Sequence, residues 1–403
     1  MKEEQIKSLA ARYRDDTAQI LSRLVQIPSY SGKEKEVCEE IVRICRDTGF
    51  DDVRIDGLGS VVARLGSGPV KLAFDAHIDT VEVGDRNQWD FDPFSGEVKD
   101  GLVHGRGSSD QKGGAASMIT AARILQEAGA LDGYTVYFTF TVMEEDCDGM
   151  CWKYLIEEEN LVPDFFVSTE PTSLRITRGQ RGRMEMICRV KGTSAHGSAP
   201  ERGESAAYKA ARAALAMDRL NRELKPDEDN FLGKGSVVVS KIDVHGPSQC
   251  AVPDEGMLYL DRRLTWGEDK EGAVQQVKEY MGADAEEVEM PWYSERGYKD
   301  TDYSQELYFP TWKIDEDHPL VQAGVAAYRG LYGEKPEVGK WTFSTNGVAV
   351  CGRHGIPSIG FGPGDENQAH APNETNRVAD LEVCAAFYAA LANTEIGTWA
   401  GMQ

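Results

Sequence analysis

The chain reads Leu72-Ala73-Phe74-Asp75-Ala76-His77-Ile78-Asp79-Thr80, an apolar run that ends in a histidine and an aspartate. A short apolar run of this kind is typical of a buried strand in a sheet that is covered on both faces. Since successive side chains of a strand point to opposite faces, we expect His77 and Asp79 to share one face. The segment therefore predicts a central strand with polar side chains at its carboxyl end.

Helices and strands alternate on both sides of this strand. The predicted helices are residues 5–25, 34–48, 113–128 and 149–159, and the other predicted strands are Val53 to Ile55, Val61 to Ala63, Tyr134 to Val142 and Phe165 to Thr169. This alternation indicates an α/β domain with a mixed, largely parallel sheet flanked by helices.

The pattern changes near Arg178. A strand there is followed by a helix at 204–223, strands at 235–244 and 257–264, a helix at 269–282 and a strand at 285–290. This order predicts a small α+β sandwich of the ferredoxin-like kind. A helix at 318–331, a strand at 357–361 and a helix at 377–400 then return to the first pattern. We therefore predict a domain built from residues 1–179 and 294–403, with residues 180–293 as an insertion.

Composition and charge exclude several classes of protein. The 403 residues suit two domains. The formal net charge is −23, whereas phosphate binding requires clustered Lys and Arg, so we expect no nucleic-acid partner. No run approaches the roughly 18 apolar residues of a membrane span, and the charged amino-terminal segment does not read as a signal peptide. We expect a cytoplasmic protein with no membrane partner.

Further polar residues stand where predicted strands end or a predicted helix begins. These residues are Asp110, Glu144, Glu145, Glu170 and His370. An α/β sheet presents its ligand-binding edge at the carboxyl ends of its strands, where His77 also lies. We therefore interpret these side chains as members of one candidate site.

Each of these positions also has an ordinary structural explanation. Alone, His77 reads as a capped core histidine and Asp110 as a helix N-cap. The adjacent Glu144 and Glu145 are more informative, because neighbouring carboxylates repel each other unless a cation or a shared proton compensates. Together, two histidines and three carboxylates suit zinc, cobalt or manganese better than calcium or copper. A bridging Asp would hold two ions about 3.5–4 Å apart, as in two-metal hydrolases.

Six motifs carry a resemblance to a known family. They are DAHIDT (75–80), GRGSSDQKGG (105–114), TVMEED (141–146), STEP (168–171), GTSAHGSAP (192–200) and QAHAPNE (368–374). In this order they resemble the motifs of the M20 metallopeptidase family, and most of all its branch of selenium-metabolism-linked hydrolases (YgeY type). The family includes carboxypeptidases, acetylornithine deacetylase and succinyl-diaminopimelate desuccinylase. The resemblance implies a zinc-exopeptidase-like catalytic domain with an inserted dimerisation or lid domain.

The resemblance also implies a role for the residues of each motif. The implied ligands of two divalent cations, zinc by preference with cobalt or manganese as alternatives, are His77, Asp110, Glu145, Glu170 and His370. Asp110 would bridge the cations, with His77 and Glu170 on one and Glu145 and His370 on the other. The peptide between Asp110 and Gln111 would be cis.

Catalytic roles fall to three other residues. Glu144 would be the general base, and Asp79 would orient His77. His196 would reach the active site of the partner subunit in a homodimer and help to stabilise the oxyanion.

The predicted substrate-binding residues are Arg263 and Asn346. Arg263 resembles the carboxylate-binding arginine of the family's DxR motif, which implies a small carboxylate-bearing substrate. Asn346 stands where many relatives have Asp before Gly, so the specificity of the known deacylases cannot be transferred. We expect hydrolysis of an amide-type C–N bond in a peptide, an N-acyl or an N-carbamoyl amino acid. The alternative is a catalytically inactive scaffold that keeps the fold.

Overall fold

The protein was analysed as a computed structural model, which describes residues 2–131 and 133–396. The helices are α1 (Lys2–Arg12), α2 (Arg14–Val25), α3 (Lys35–Thr48), α4 (Gly113–Ala128), α5 (Met150–Glu157), α6 (Ala206–Glu223), α7 (Lys270–Met281), α8 (Pro319–Tyr332) and α9 (Val378–Leu391). The strands are β1 (Asp52–Ile55), β2 (Val61–Gly66), β3 (Val70–His77), β4 (Val98–Lys99), β5 (Leu102–His104), β6 (Tyr134–Thr141), β7 (Phe165–Ser168), β8 (Ile176–Thr177), β9 (Gly179–Gln180), β10 (Gly182–Lys191), β11 (Ser236–His245), β12 (Glu255–Leu264), β13 (Glu287–Glu289), β14 (Trp292–Tyr293), β15 (Gln305–Glu306), β16 (Tyr308–Phe309), β17 (Trp312–Lys313), β18 (Val338–Gly339), β19 (Ser358–Gly360) and β20 (Thr375–Arg377).

The main sheet has eight strands in the order β1-β2-β6-β3-β7-β19-β8-β18. Its centre, β6-β3-β7-β19, is parallel throughout, and β1 and β2 extend one side as antiparallel strands. The predicted α/β class with a mixed, largely parallel sheet is confirmed, and β3 is a central strand as its apolar sequence indicates.

Helices cover this sheet and bury its apolar side chains. Helix α4 packs against α1, α2 and α9. On β3, Phe74 contacts Phe138 of β6 and Tyr388 of α9 through their rings. The side chains at the even-numbered positions of β3 therefore pack against the helices, and Asp75 and His77 lie on the opposite face of the sheet.

A second, smaller sheet has the order β11-β12-β10-β13, and all of its pairs are antiparallel. In chain order its elements run strand, helix, strand, strand, helix, strand, which is the predicted α+β arrangement. The alternate residues Met184, Met186, Cys188 and Val190 of β10 are buried in a separate apolar core with α6 and α7. The division of the chain at residues 179 and 293 stays a prediction.

Two predicted helices differ from the observed ones. The pattern at 5–25 forms two helices that separate at Tyr13. Helix α9 ends at Leu391 because the Tyr134 hydroxyl donates to the carbonyl of Thr394 and accepts from the amide of Ile396, which fixes a non-helical exit. The rest of the prediction, residues 397–400, lies outside the described residues. Within the described residues, the helices are too short or too polar to cross a membrane.

Replacement of Gly114 by alanine should destabilise the fold. Gly114 is the second residue of α4 and lies against the end of β7, where a Cβ would lie 2.0 Å from Oγ1 and 2.9 Å from the carbonyl oxygen of Thr169. Alanine favours a helix over glycine by about 1 kcal/mol, but overpacking costs about 1–3 kcal/mol or more where backbone must move. We expect a lower melting temperature by circular dichroism.

Gly339→Ala is the matched control, because no described atom lies within 4 Å of the added Cβ and its φ is not positive. A Gly114→Ala protein that melts with the control would contradict the close packing of α4 on β7.

Candidate metal centre

The five predicted metal ligands lie at one end of the main sheet. His77 is the last residue of β3, and Glu170 stands two residues after β7. Glu145 and His370 lie in the loops after β6 and β19, and Asp110 lies in the loop before α4. Because the four strands are parallel neighbours, their carboxyl ends meet and bring these side chains together.

Asp110 stands between two histidines. Its Oδ1 lies 3.0 Å from Nε2 of His77, and its Oδ2 lies 3.6 Å from Nε2 of His370. On one side, Oε1 of Glu170 lies 3.7 Å from Nε2 of His77. On the other, Oε2 of Glu145 lies 2.8 Å from Nε2 of His370. The side chains therefore form two histidine and carboxylate sets that share Asp110.

The site crowds carboxylates into a buried space. Burial raises the pKa of Glu144 and of Glu170, and neighbouring carboxylates raise both further. Burial and the charge of Asp110 raise the pKa of Glu145 to about 7. Burial opposes a charge on His77, yet the carboxylates of Glu144 and Glu170 raise its pKa. Burial is the largest cause of the shifts of the three glutamates, and the negative charge of neighbouring carboxylates adds to it.

Two divalent cations fit this set of side chains. The carboxylates of Asp110, Glu144, Glu145 and Glu170 carry four negative charges when ionised, the charge that two such cations would balance. Donor atoms of His77, Asp110 and Glu145 lie within 4.8 Å of one another, and so do those of His77, Glu144 and Glu170. Imidazole nitrogen and carboxylate oxygen together suit zinc, cobalt or manganese.

Asp79 fixes the ring of His77 and the loop after β6. Nδ1 of His77 lies 3.0 Å from the backbone carbonyl oxygen of Asp79 and 3.5 Å from its Oδ1, so the orienting hydrogen bond is made by the carbonyl. A proton on Nδ1 leaves Nε2 free to bind a cation. The Asp79 carboxylate accepts from the backbone amides of Glu144 and Glu145 at 3.2 and 3.0 Å. It therefore holds both glutamates against the end of β3.

One carboxylate oxygen of Glu144 has no hydrogen-bond partner among the described residues. Its Oε1 is buried and has no hydrogen-bond partner in the described part of the chain, while its Oε2 lies 3.8 Å from Nε2 of His77. Met143, directly before it, has φ of 59°, and His370 has φ of 62°. Such left-handed backbone is uncommon outside glycine and concentrates at functional sites. The structure thus gives Glu144 an acceptor that is not occupied by the protein.

The loop that presents Asp110 is held by Glu374, a residue to which sequence analysis assigned no role. The buried Glu374 carboxylate accepts hydrogen bonds from the backbone amides of Gly107, Ser109 and Asp110, and it pairs with Arg106 at 2.7 Å. Arg106 also donates to the carbonyl oxygen of His370. One carboxylate therefore ties the Asp110 loop to the His370 loop. The predicted cis peptide between Asp110 and Gln111 is confirmed.

A cavity of about 360 Å³ opens onto the ligands. Glu144 and Asp148 line it from the loop after β6, and Phe343 lines it from the segment before residue 348. The small sheet contributes Arg183 of β10 and the predicted substrate ligand Arg263 of β12. The cavity therefore lies between the two sheets, with the carboxylates on the main sheet and the arginines on the small one.

Two predicted site residues lie elsewhere. His196 is exposed on the small-sheet side, does not line this cavity, and accepts a hydrogen bond from the amide of Ser198 at its Nδ1. Asn346 is buried behind the site, where its amide donates to Asp75 and Thr141 and its carbonyl accepts from Gly149. Both ends of the Asn346 side chain are thus occupied, so it supports the strand ends rather than facing a substrate.

The chain matches one protein family and two known proteins in sequence. The profile of Peptidase family M20/M25/M40 matches residues 73–394. The chain is 49% identical over 391 residues to the protein YgeY of Escherichia coli (strain K12), with 96% of each chain covered. It is 26% identical over 388 residues to succinyl-diaminopimelate desuccinylase of Magnetococcus marinus, covering 93% of this chain and 96% of that one.

A solved structure shares the fold. The crystal structure of YXEP from Bacillus subtilis, a dinuclear metal binding peptidase of the M20 family, superposes with a TM-score of 0.68 at 16% identity. The match covers 95% of this chain and 98% of that chain.

Replacement of Glu374 by glutamine should weaken metal binding. The substitution keeps the shape but turns one acceptor into a donor that faces backbone N–H groups. Because residues that position metal ligands usually change affinity by about 10–100-fold, we expect a loss of that size in zinc affinity. Chelator competition and elemental analysis would measure it.

Glu337→Gln is the control, since its side chain is 68% exposed and lies outside the site. Unchanged zinc affinity in a folded Glu374→Gln protein would show that Glu374 does not position the ligands.

Proposed function

Because the chain belongs to peptidase family M20/M25/M40 and is a metal-dependent hydrolase, we propose that it cleaves an amide-type C–N bond of a small, carboxylate-bearing substrate with two divalent cations. Zinc is the preferred metal, and cobalt and manganese are the alternatives. The scaffold alternative would be favoured by a missing ligand or base. Against it, the six residues proposed for these roles line one cavity: His77, Asp110, Glu145, Glu170, His370 and Glu144.

The arrangement around Asp110 carries this proposal. Its two carboxylate oxygens face His77 and His370 separately, and each histidine has its own further carboxylate. A single cation would leave the negative charge of one of these two sets without a compensating positive charge. Two ions, with His77 and Glu170 on one and Glu145 and His370 on the other, use every donor.

The protein's own chemistry centres on Glu144. When bound, the cations would lower the pKa of a water molecule and polarise the substrate carbonyl. Glu144 is buried beside the ligands with Oε1 unoccupied, so it can take the proton of the attacking water. The same carboxylate can then hold that proton and deliver it to the leaving nitrogen. One residue therefore serves as base and then as acid.

The cavity supports a small substrate with a carboxylate. A volume of about 360 Å³ suits an amino-acid derivative or a dipeptide. Arg263 offers a guanidinium, which binds carboxylates in a planar, directed manner. The similarity to succinyl-diaminopimelate desuccinylase adds N-acyl amino acids to the peptides that the family name implies. Peptide, N-acyl and N-carbamoyl substrates are therefore the classes to test.

A homodimer built through the small sheet would complete the site with His196. Strand β11 lies at the edge of that sheet, and its Val238 and Ile242 are 56% and 47% exposed. Tyr208 and Leu215 of the adjoining α6 are 73% and 68% exposed. An exposed apolar edge favours pairing with a second copy across a two-fold axis. This surface supports the homodimer, in which His196 would enter the partner's cavity.

Metal content and a substrate screen test the proposal directly. Protein purified without chelator should contain about two equivalents of zinc, cobalt or manganese by elemental mass spectrometry. It should hydrolyse at least one member of a panel of dipeptides, N-acyl and N-carbamoyl amino acids. A protein that takes up no metal and turns over none of them after reloading would support the scaffold instead.

Glu144→Gln should abolish turnover and keep the metal. Glutamine cannot take the proton, so we expect kcat to fall roughly a hundredfold to ten-thousandfold, the usual contribution of a general base. Elemental analysis should give wild-type metal content, because Glu144 is not one of the proposed ligands. The surface change Glu127→Gln should leave both values unchanged. Wild-type kcat in the Glu144→Gln protein would remove Glu144 from the mechanism.

Mixing two inactive variants should test the role of His196. Glu144→Gln and His196→Ala should each have little activity as homodimers. After unfolding and refolding together, about half of the dimers are mixed, and each mixed dimer has one site with both residues, so about a quarter of the wild-type activity should return. If His196 acts within its own subunit or not at all, mixing will restore nothing. Light scattering would verify the dimer.

A further inference from the structure

Two arginines face each other across the small sheet. In the antiparallel pairing of β10 and β12, Arg183 is directly opposite Arg263, and both side chains line the cavity. Directly opposed like charges destabilise a pair of strands unless other groups compensate. The next opposed pair on the same face is Glu185 and Asp261, and each of these acids binds the arginine of its own strand. The two arginines and the two acids therefore form two neighbouring ion pairs at the cavity wall, one on each strand.

We propose that Arg183 joins Arg263 in binding one carboxylate of the substrate. The two residues are called the carboxylate clamp below. The inference rests on the proposed function for the identity of the reaction, but it adds a residue that neither the motifs nor the comparisons assign. It also states which part of the substrate the protein recognises. The clamp would bind the charged carboxylate of the substrate, which is separate from the bond that is cut.

Arg263 is held in place without using all of its donors. Its Nε and Nη2 donate to the two oxygens of Asp261 at 2.8 and 2.9 Å. A guanidinium has five N–H groups in a planar fork, so a bidentate bond to one carboxylate leaves donors for a second. Asp261 therefore fixes the plane of Arg263 and still allows it to bind a ligand.

Arg183 is held in a similar way. Its guanidinium lies 4.6 Å from the ring centre of Phe309, and its Nη2 donates to Glu185 at 3.1 Å. Its Nη1 is 3.9 Å from Oδ1 of Asp148, too far for a hydrogen bond. Its Nε is buried and has no hydrogen-bond partner among residues 2–131 and 133–396. Arg183 is thus preorganised, with donors that the protein does not satisfy.

The charges of the cavity favour this placement. Among the described residues that line it, Arg183 and Arg263 are the two with a permanent positive charge. The other charged groups that line it are mostly carboxylates, which cannot donate a hydrogen bond to a substrate carboxylate when ionised. A substrate therefore gains most when its carboxylate lies at the small sheet and its amide carbonyl lies at the main sheet.

Pairs of substrates that match in shape and differ in charge test the clamp. Each amino-acid derivative or dipeptide would be compared with its primary amide, which keeps the shape but removes the charge. In Arg183→Gln, kcat/KM for the carboxylate should fall roughly tenfold to a hundredfold through a higher KM, while the value for the amide changes little. Arg183→Met, which keeps an apolar stem over Phe309, should lose the same preference if the glutamine variant folds poorly.

Arg189→Gln is the matched control. It lies on the same strand, removes the same charge and breaks only an exposed ion pair with Glu289. We expect it to retain the wild-type ratio of carboxylate to amide. Equal losses for carboxylate and amide in the Arg183 variants would mean that Arg183 only supports the structure. An unchanged ratio would also overturn the clamp.

Binding to the zinc-loaded Glu144→Gln protein separates this inference from the proposed function. Calorimetry with the same N-acetyl, N-carbamoyl and dipeptide pairs needs no turnover. Tighter binding of a carboxylate than of its amide, lost when Arg183→Gln is added, supports the clamp even if the wild type hydrolyses none of them. Equal affinity for both members of every pair contradicts the clamp even if the wild type is an active hydrolase.

Discussion

Repulsion among buried carboxylates at one end of the main sheet is the constraint on which the rest of the site depends. Four parallel strands end side by side, and the loops there and before α4 bring the carboxylates of Asp110, Glu144, Glu145 and Glu170 together in a largely buried space. Burial and mutual repulsion raise the pKa of the three glutamates, so the folded chain holds its own charges unfavourably. Two divalent cations would relieve this cost, so that metal binding would also stabilise this end of the sheet.

The surrounding structure holds the carboxylates despite that repulsion. Asp79 holds the backbone of the two glutamates and the ring of His77 through hydrogen bonds. Glu374 holds the loop of Asp110 by accepting hydrogen bonds from three backbone amides. In both cases an acid outside the proposed set of metal ligands orders residues of that set. Backbone N–H groups donate hydrogen bonds to these two carboxylates, so burying each costs less than burying an unpaired carboxylate would. The ligands are therefore in place before a cation arrives.

Sequence alone predicts the parts of this site that depend on local patterns. The apolar run before His77 predicts a buried strand, and the doublet Glu144-Glu145 indicates a compensating cation. Contacts between distant segments are not predictable in this way: Glu374 meets its partners across more than 250 residues. Asn346 was predicted to bind the substrate from its place in a motif. The motif gives the position of Asn346 in the chain, but it does not show that the side chain is already hydrogen-bonded behind the strands.

The arrangement of charge between the two sheets explains why a two-part fold suits this chemistry. Cations and an acidic cluster polarise a carbonyl but cannot also attract a substrate carboxylate without misplacing it on the metals. Arg183 and Arg263 stand on the small sheet, which has its own core, whereas the proposed metal ligands stand at the end of the main sheet. A substrate that spans both walls is oriented by its own charge, and the distance between the walls selects which bond meets Glu144.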